Sequence, residues 1–306
     1  MEYALGIDIG GTKIAAAILN QSGEIINRVE VKSKPENEEK MFEQVVECIK
    51  NLLSNSLIPV ADICGMGIGI PGKVDQENGL AVFQNNLPWR NFPIKERLKS
   101  IFPVEHIVID NDVCMAAFAE WKQLDMKENT SFVYITVSTG IACSFINSGS
   151  VIRGAGFAGE IGLISVLNNL SESGIETLER SSSGLAIEKL AKKHFQNPNM
   201  TTKDFFDEYV KGNLLARRLM KEIVISLTHG IYSIVCLLDP HRIVFGGGVM
   251  NHNPFLLDLM KESLRDNLVF GQYQVLDRMQ ISGLKENSGV IGAGLRGLNL
   301  SQTIIK

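Results

Sequence analysis

The sequence predicts an α/β protein of two domains. The chain opens on two short apolar runs, residues 3–7 and 14–19, with a polar, glycine-bearing turn between them. A second strand–turn–strand unit begins near Ser131, with its turn at Ser138-Thr139-Gly140. Elsewhere apolar residues switch repeatedly between strand and helix spacing. At 306 residues the chain has room for two cores.

In order along the chain, the cluster Asn20-Gln21-Ser22-Gly23 closes the second strand, and 24–31 continues the sheet as a hairpin. Met41, Val45, Val46, Ile49, Leu52 and Leu53 fall on one helical face, with Asn37 as N-cap. Residues 63–70 form a buried strand that ends at Pro71-Gly72. A loop at Asn85-Asn86-Leu87-Pro88-Trp89 leads to a short helix over 94–101 and a strand over 106–109. Asp110-Asn111-Asp112 then precedes a helix over 113–121.

The second unit starts with strands at 132–137 and 141–146, a weak echo of the opening that hints at duplication. Residues 154–173 are irregular. Helices follow over 183–194 and 205–238, the latter broken at Lys211-Gly212-Asn213 and ended by Asp239-Pro240, since proline cannot continue a helix. A strand at 242–245 runs into Gly246-Gly247-Gly248, a helix covers 254–268, and 289–297 starts a helix of small residues.

Composition excludes several classes. Net charge is −4, so no footprint for nucleic acid is present. No apolar stretch reads as a membrane span and no signal-peptide pattern opens the chain, which points to the cytoplasm. The five cysteines are scattered without metal-ligand spacing and read as buried, reduced thiols. His106, His194, His229, His241 and His252 form no constellation.

Chemistry concentrates first in Asp8-Ile9-Gly10-Gly11-Thr12-Lys13. Two adjacent glycines let backbone N–H groups approach an anion, Thr12 and Lys13 add donors, and Asp8 suits magnesium. The spacing matches neither the Walker loop nor the dinucleotide fingerprint. On these residues alone, a phosphate grip and an ordinary polar turn are equally good readings. Asp112 likewise reads as a helix N-cap or as a base. Taken singly, Asn86 is a turn residue, Trp89 packing, Glu160 and Glu179 surface acids, and Gly246–Gly248 a turn.

Several runs together resemble the ROK family of sugar kinases over nearly the whole chain. The carriers are residues 8–13, Gly69-Ile70-Pro71-Gly72, Asn86-Leu87-Pro88-Trp89, Asn111-Asp112, Ser138-Thr139-Gly140-Ile141, Gly159-Glu160-Ile161-Gly162, Thr177-Leu178-Glu179, Gly246-Gly247-Gly248-Val249 and Gly292-Ala293. The resemblance implies the two-lobed, actin-like ATPase (ribonuclease H-like) fold. Its implied lobes are 1–120 and 121–290, with a terminal helix at about 291–306 packing back on the first.

By the same resemblance, Asp112 is the general base for the attacking sugar hydroxyl, the 6-hydroxyl of a hexose or N-acetylhexosamine. Pro71, Gly72, Asn86, Asn111, Glu160 and Glu179 hold the sugar. Asp8, Gly10, Gly11, Thr12, Lys13, Ser138, Thr139, Gly140, Gly246, Gly247 and Gly248 enclose ATP, with Mg2+ at Asp8. A homodimer is implied, with neither nucleic acid nor membrane as partner.

The chain departs from the family pattern in two places. Leu163 stands where many members have a histidine, and no cysteine lies between Cys143 and Cys236, so no structural zinc is expected. Zinc-lacking branches occur among N-acetylmannosamine and β-glucoside kinases. The loop 167–174 is then ordered by packing or is mobile. Secondly, Ala142-Cys143-Ser144 follow Ile141 in place of further glycines. A catalytically silent sugar sensor is the alternative. The family's DNA-binding repressors carry a helix-turn-helix ahead of this region, and the first strand here is expected to open the chain.

Overall fold

The computed structural model describes residues 2–298. The contacts divide into two compact units. One comprises 1–127, 149–157 and 287 onward, and the other 128–148 and 158–286.

In the first unit, β1 (Tyr3–Ile9), β2 (Lys13–Asn20) and β3 (Ile25–Lys32) form an antiparallel meander. After α1 (Glu38–Ser54) come β4 (Ile63–Ile70), the small sheet of β5 (Lys73–Asp75), β6 (Leu80–Phe83) and β7 (Arg90–Phe92), then α2 (Ile94–Lys99), β8 (His106–Asn111) and α3 (Asp112–Gln123). The main sheet has the order β3-β2-β1-β4-β8, with β1, β4 and β8 parallel. Asn37 caps α1 through its side chain, as its position implied, and the apolar face of α1 packs under the sheet. Trp89 is buried, stacks on Phe92 and donates its indole N–H to the Glu38 carbonyl, so it is a packing residue.

The second unit repeats the plan. β9 (Ser131–Val137) and β10 (Ile141–Asn147) form a hairpin. β11 (Ser150–Ile152) lies in the segment that groups with the first unit. The chain then makes a short hairpin of β12 (Ser165–Leu167) and β13 (Ile175–Thr177), followed by α4 (Leu178–Ser182), α5 (Gly184–His194), α6 (Thr202–Val210) and α7 (Leu214–Leu238). Next come β14 (Arg242–Gly246), α8 (Gly248–His252), α9 (Phe255–Arg265) and β15 (Met279–Ile281). β14 pairs parallel to both β9 and β15. Both units thus set a hairpin beside two parallel strands, which is the duplication hinted at by the two opening turns.

Two sequence expectations differ from the structure. Of the cysteines read as buried, Cys236 is exposed and Cys64 and Cys114 are half-buried. α7 is long and apolar enough to cross a membrane by length and composition. Half of it is buried, and it packs against α4, α6 and α9 in the core of its unit, as a core helix does. Asp239 ends it in a left-handed conformation just before Pro240.

The last described helix, α10 (Ser288–Gly297), belongs to the first unit; residues 299–306, part of the expected terminal helix, lie outside the described residues. α10 lies directly on the backbone of β1 and β4. A methyl group on Gly6 would overlap the Val290 carbonyl, and one on Gly65 or Gly67 the carbonyls of Gly297 or Ala293. On the helix, one at Gly292 would overlap the Met115 carbonyl of α3. The small residues read from 289–297 therefore serve close approach on two sides.

Replacing Gly67 by alanine should lower stability by about 3 kcal/mol, as overpacking against backbone that cannot yield does. Gly271→Ala, where nothing lies within 4 Å of the added carbon, should change it by less than about 0.5 kcal/mol. Urea unfolding followed by circular dichroism compares the two.

Candidate active site, described on each unit

On the first unit, the turn after β1 is tightly braced. Gly10 N–H donates to the Lys13 carbonyl at 2.9 Å, and the buried Ser33 donates its hydroxyl to the Gly10 carbonyl at 2.6 Å. Gly11 sits against Asn86, where an added methyl would lie 3.0 Å from the Asn86 carbonyl oxygen. The turn and the amide loop, expected to serve phosphate and sugar respectively, are therefore in contact. Lys13 is not a free cation, because its ammonium pairs with Glu30 at 3.0 Å, and Glu30 also takes Arg28 at 2.7 Å.

Asp8 lies against Gly289 at the start of α10. Burial pushes its carboxyl up to about 6, partly offset by Lys13 and Arg28. A carboxylate this poorly solvated suits a hard dication completed by phosphate oxygens and water, so Asp8 fits a magnesium role. Among the described residues, no group of three or more His, Cys, Asp or Glu is gathered as a metal cage.

β8 and α3 meet at the pair Asn111-Asp112. The cap of α3 is Asn111, whose side-chain oxygen accepts from the N–H groups of Val113 and Cys114. Its amide donates to the Gly72 carbonyl at 3.0 Å. Asn111 thus orients Pro71-Gly72 and the helix start, a positioning job that the sugar-contact expectation did not include. Gly72 needs its glycine: its φ is +77° and an added methyl would overlap the Phe83 carbonyl. Asp112 is the first residue of the helix rather than its cap. Its Oδ1 accepts the Val113 N–H at 3.0 Å, where the helix dipole favours a carboxylate.

Behind this pair lies an arrangement that sequence reading missed. Asp110 is buried. Its Oδ1 accepts the Asn111 N–H, while its Oδ2 takes Arg153 at 2.6 Å and the buried Arg296 at 3.3 Å. Three residues far apart in sequence carry this bridge, and no local pattern announces it.

On the second unit, Ser138 N–H donates to the Gly140 carbonyl, and the Ser138 carbonyl accepts from Gly184 at the start of α5 at 2.7 Å. Glu179, on α4, accepts the Ile141 N–H through Oε2 at 2.9 Å. Glu160 is solvent-exposed, yet partial desolvation, and then the Glu179 charge, hold its carboxyl above the usual range. Glu179 therefore lies beside the turn at 138–140, and Glu160 is near enough to Glu179 to feel its charge. After β14, Gly246 abuts Tyr134, and Gly247 has a φ of +84° beneath the Val137 carbonyl. Only glycine satisfies both the space and the dihedral at Gly247.

The segment 167–174 is ordered by hydrogen bonds. The Asn168 backbone N–H donates to Gly174, its side-chain oxygen accepts from Leu170, and its amide donates to Ser181 of α4 at 2.9 Å. The buried Ser226 donates to the Leu167 carbonyl. Leu163, in a single 3-10 turn after Glu160, is exposed.

The model of the ROK family matches residues 4–295. The glucokinase of Halalkalibacterium halodurans is 28% identical over 315 residues, covering 95% of this chain and 94% of its own. A xylose repressor of Caldicellulosiruptor bescii is 25% identical, with 94% of this chain matched to 76% of the repressor. Among solved structures, the ROK hexokinase of Thermus thermophilus superposes with a TM-score of 0.79 at 28% identity over 98% of this chain and 99% of that one. The fold is that of the actin-like ATPase sugar kinases.

Asn168→Ala should lower stability by about 1–2 kcal/mol, because it strips partners from a half-buried turn. Chemical denaturation of the intact chain measures this, and Asn169→Ala, at an exposed neighbour, is the comparison.

Proposed function

Because the chain belongs to the ROK family, we propose that it transfers the γ-phosphoryl group of ATP to the 6-hydroxyl of a hexose or N-acetylhexosamine, with Asp112 as general base. The observation that carries this is the Asn111-Asp112 junction. A carboxylate stands at the first position of α3, beside an asparagine tied to Gly72, on a strand end braced by Asp110.

The chemistry asks mainly for alignment and charge neutralisation. The sugar hydroxyl oxygen attacks the γ-phosphorus as the bond to the β–γ bridging oxygen breaks. Asp112 accepts the hydroxyl proton, and ADP leaves. Magnesium, when bound, would neutralise phosphate oxygens, and Asp8 would hold it. The backbone N–H groups of residues 11–12 and 139–140, with the hydroxyls of Thr12, Ser138 and Thr139, would bind phosphate oxygens, while the N–H groups of Gly10 and Ser138 close their own turns. Gly246–Gly248 would leave room for the nucleotide. Lys13 would meet phosphate only by sharing its charge with Glu30.

Glu160 and Glu179 would accept ring hydroxyls, and Asn86 would donate to the ring. As carboxylate acceptors these two glutamates discriminate between epimers through charge-assisted hydrogen bonds. No zinc is assigned a role. We place the enzyme, with its ATP, in the cytoplasm as a homodimer, as the family resemblance implies. A silent sugar sensor is the second reading, and the exposed Leu163 beside Glu160 and the likeness to a repressor favour it.

Incubation with Mg-ATP and a panel of hexoses, N-acetylhexosamines and β-glucosides should release ADP with at least one sugar. Calorimetric sugar binding without any ADP release would favour the sensor instead. Asp112→Asn should lower kcat by about 10³-fold while leaving the melting temperature and sugar affinity near wild type; retained turnover would remove Asp112 from the base role.

Glu160 gives a pH prediction. Its raised carboxyl takes up a proton before an ordinary glutamate does as pH falls, and it then stops accepting a sugar hydroxyl. Sugar KM should therefore climb on entering the weakly acid range. Glu160→Gln should show a high KM that is flat across that range. The sign for stability is opposite: a raised carboxyl disfavours the folded state as pH rises through that range, so Glu160→Gln should not lose stability at neutral pH.

A further inference from the structure

We propose that Glu179 is a positioning residue for the turn at 138–140, holding it in its nucleotide-binding form whether or not a sugar is present. The inference rests on the nucleotide role proposed for that turn, and it gives Glu179 a second task beside its expected contact with sugar.

The carboxylate occupies a slot that the sequence keeps clear. Its Oε2 accepts the Ile141 N–H at 2.9 Å. A methyl group on Gly140 would overlap that same oxygen. From the other side, a methyl on Gly162 would overlap the Ile141 carbonyl and lie 3.2 Å from the Glu179 Cβ. Two glycines thus flank one carboxylate, and no larger residue leaves it in reach of the backbone.

Its support is rigid. Thr177 caps α4 through the Arg180 N–H, and Leu178 is buried against Gly230 of α7. Ser181 is held by the Asn168 amide. Gly184 fixes the other end of the turn through the Ser138 carbonyl. The turn therefore hangs between α4 and α5, and Glu179 is its link to α4. A backbone N–H donated to a carboxylate is a charge-assisted bond, stronger than a bond between neutral groups. Oε2 bonds the backbone, and the remaining acceptor capacity of the carboxylate serves a sugar hydroxyl.

The test measures binding of the non-hydrolysable analogue AMPPNP, with Mg2+ and without sugar, to the full chain by calorimetry. A residue that touched only sugar would not affect this value. Glu179→Gln keeps an oxygen for the Ile141 N–H and should bind AMPPNP within about twofold of wild type, whereas Glu179→Ala should bind about tenfold more weakly. Both should raise sugar KM. Gly140→Ala, which removes no sugar contact, should weaken AMPPNP by a similar factor, and should add little in the Glu179→Ala background, where the overlap is gone.

Thermal melts establish that each variant is folded, and Glu179→Met, which fills the space without an acceptor for the Ile141 N–H, carries the test should Glu179→Ala fail to fold. Wild-type AMPPNP affinity in Glu179→Ala, or equal loss in the Gln and Ala variants, would overturn the inference and leave the kinase proposal standing. Absence of AMPPNP binding to the wild type would instead refute the nucleotide role of the turn, and this inference with it.

Discussion

The first unit depends on one close approach, the seating of α10 on bare backbone. Gly6, Gly65 and Gly67 have no side chains to hold the helix off, and Gly292 lets α3 press on it from another side. Asp8 lies on β1, Pro71-Gly72 directly follow β4, and Asp112 begins α3. α10 touches all three elements and thereby sets their mutual spacing. Its first turn also places Gly289 beside the Asp8 carboxylate, so the helix that packs the sheet also conditions the charge at the turn. Phosphoryl transfer tolerates little misplacement, and a helix fixed by backbone contact transmits little slack.

The second unit solves the same problem differently. Its opening turn is held at both ends, by Gly184 on α5 and by Glu179 on α4. α4 is fixed in turn by the Asn168 hairpin and by Leu178 in the core. Polar contacts do here what apolar seating does in the first unit. A network of this kind is stringent, because each unmet partner in a half-buried setting is costly.

Much of this was legible in the sequence because it is local. The opening hairpin, the capping Asn37, the break at 211–213 and the small-residue helix at 289–297 all follow from spacing and turn chemistry within a few residues. The runs carrying glycine and acid were also legible as motifs. What escaped depends on pairs distant in sequence. Lys13 looked like a free cation until Glu30 came alongside on β3. The positioning task of Asn111 was also hidden, because it depends on Gly72, which lies 39 residues earlier. The Asp110–Arg153–Arg296 bridge has no local signature, and the strands at 165–167 and 175–177 are too short for periodicity to reveal. α7 shows the converse, since its apolar length alone cannot distinguish a core helix from a membrane span.

The discontinuity of the first unit has a consequence for how the chain comes to be folded. A ribosome delivers β1, β4, β8 and α3 early, and then the second unit almost entire, before Ser288 begins α10. Until that moment the glycine-lined face of the first sheet lacks α10. The second unit lacks this dependence on late residues: its own strands and helices are complete by residue 286. Domains tend to form as units in the order they emerge. Here the part made first is finished last, and the backbone face that seats α10 stays open through most of synthesis.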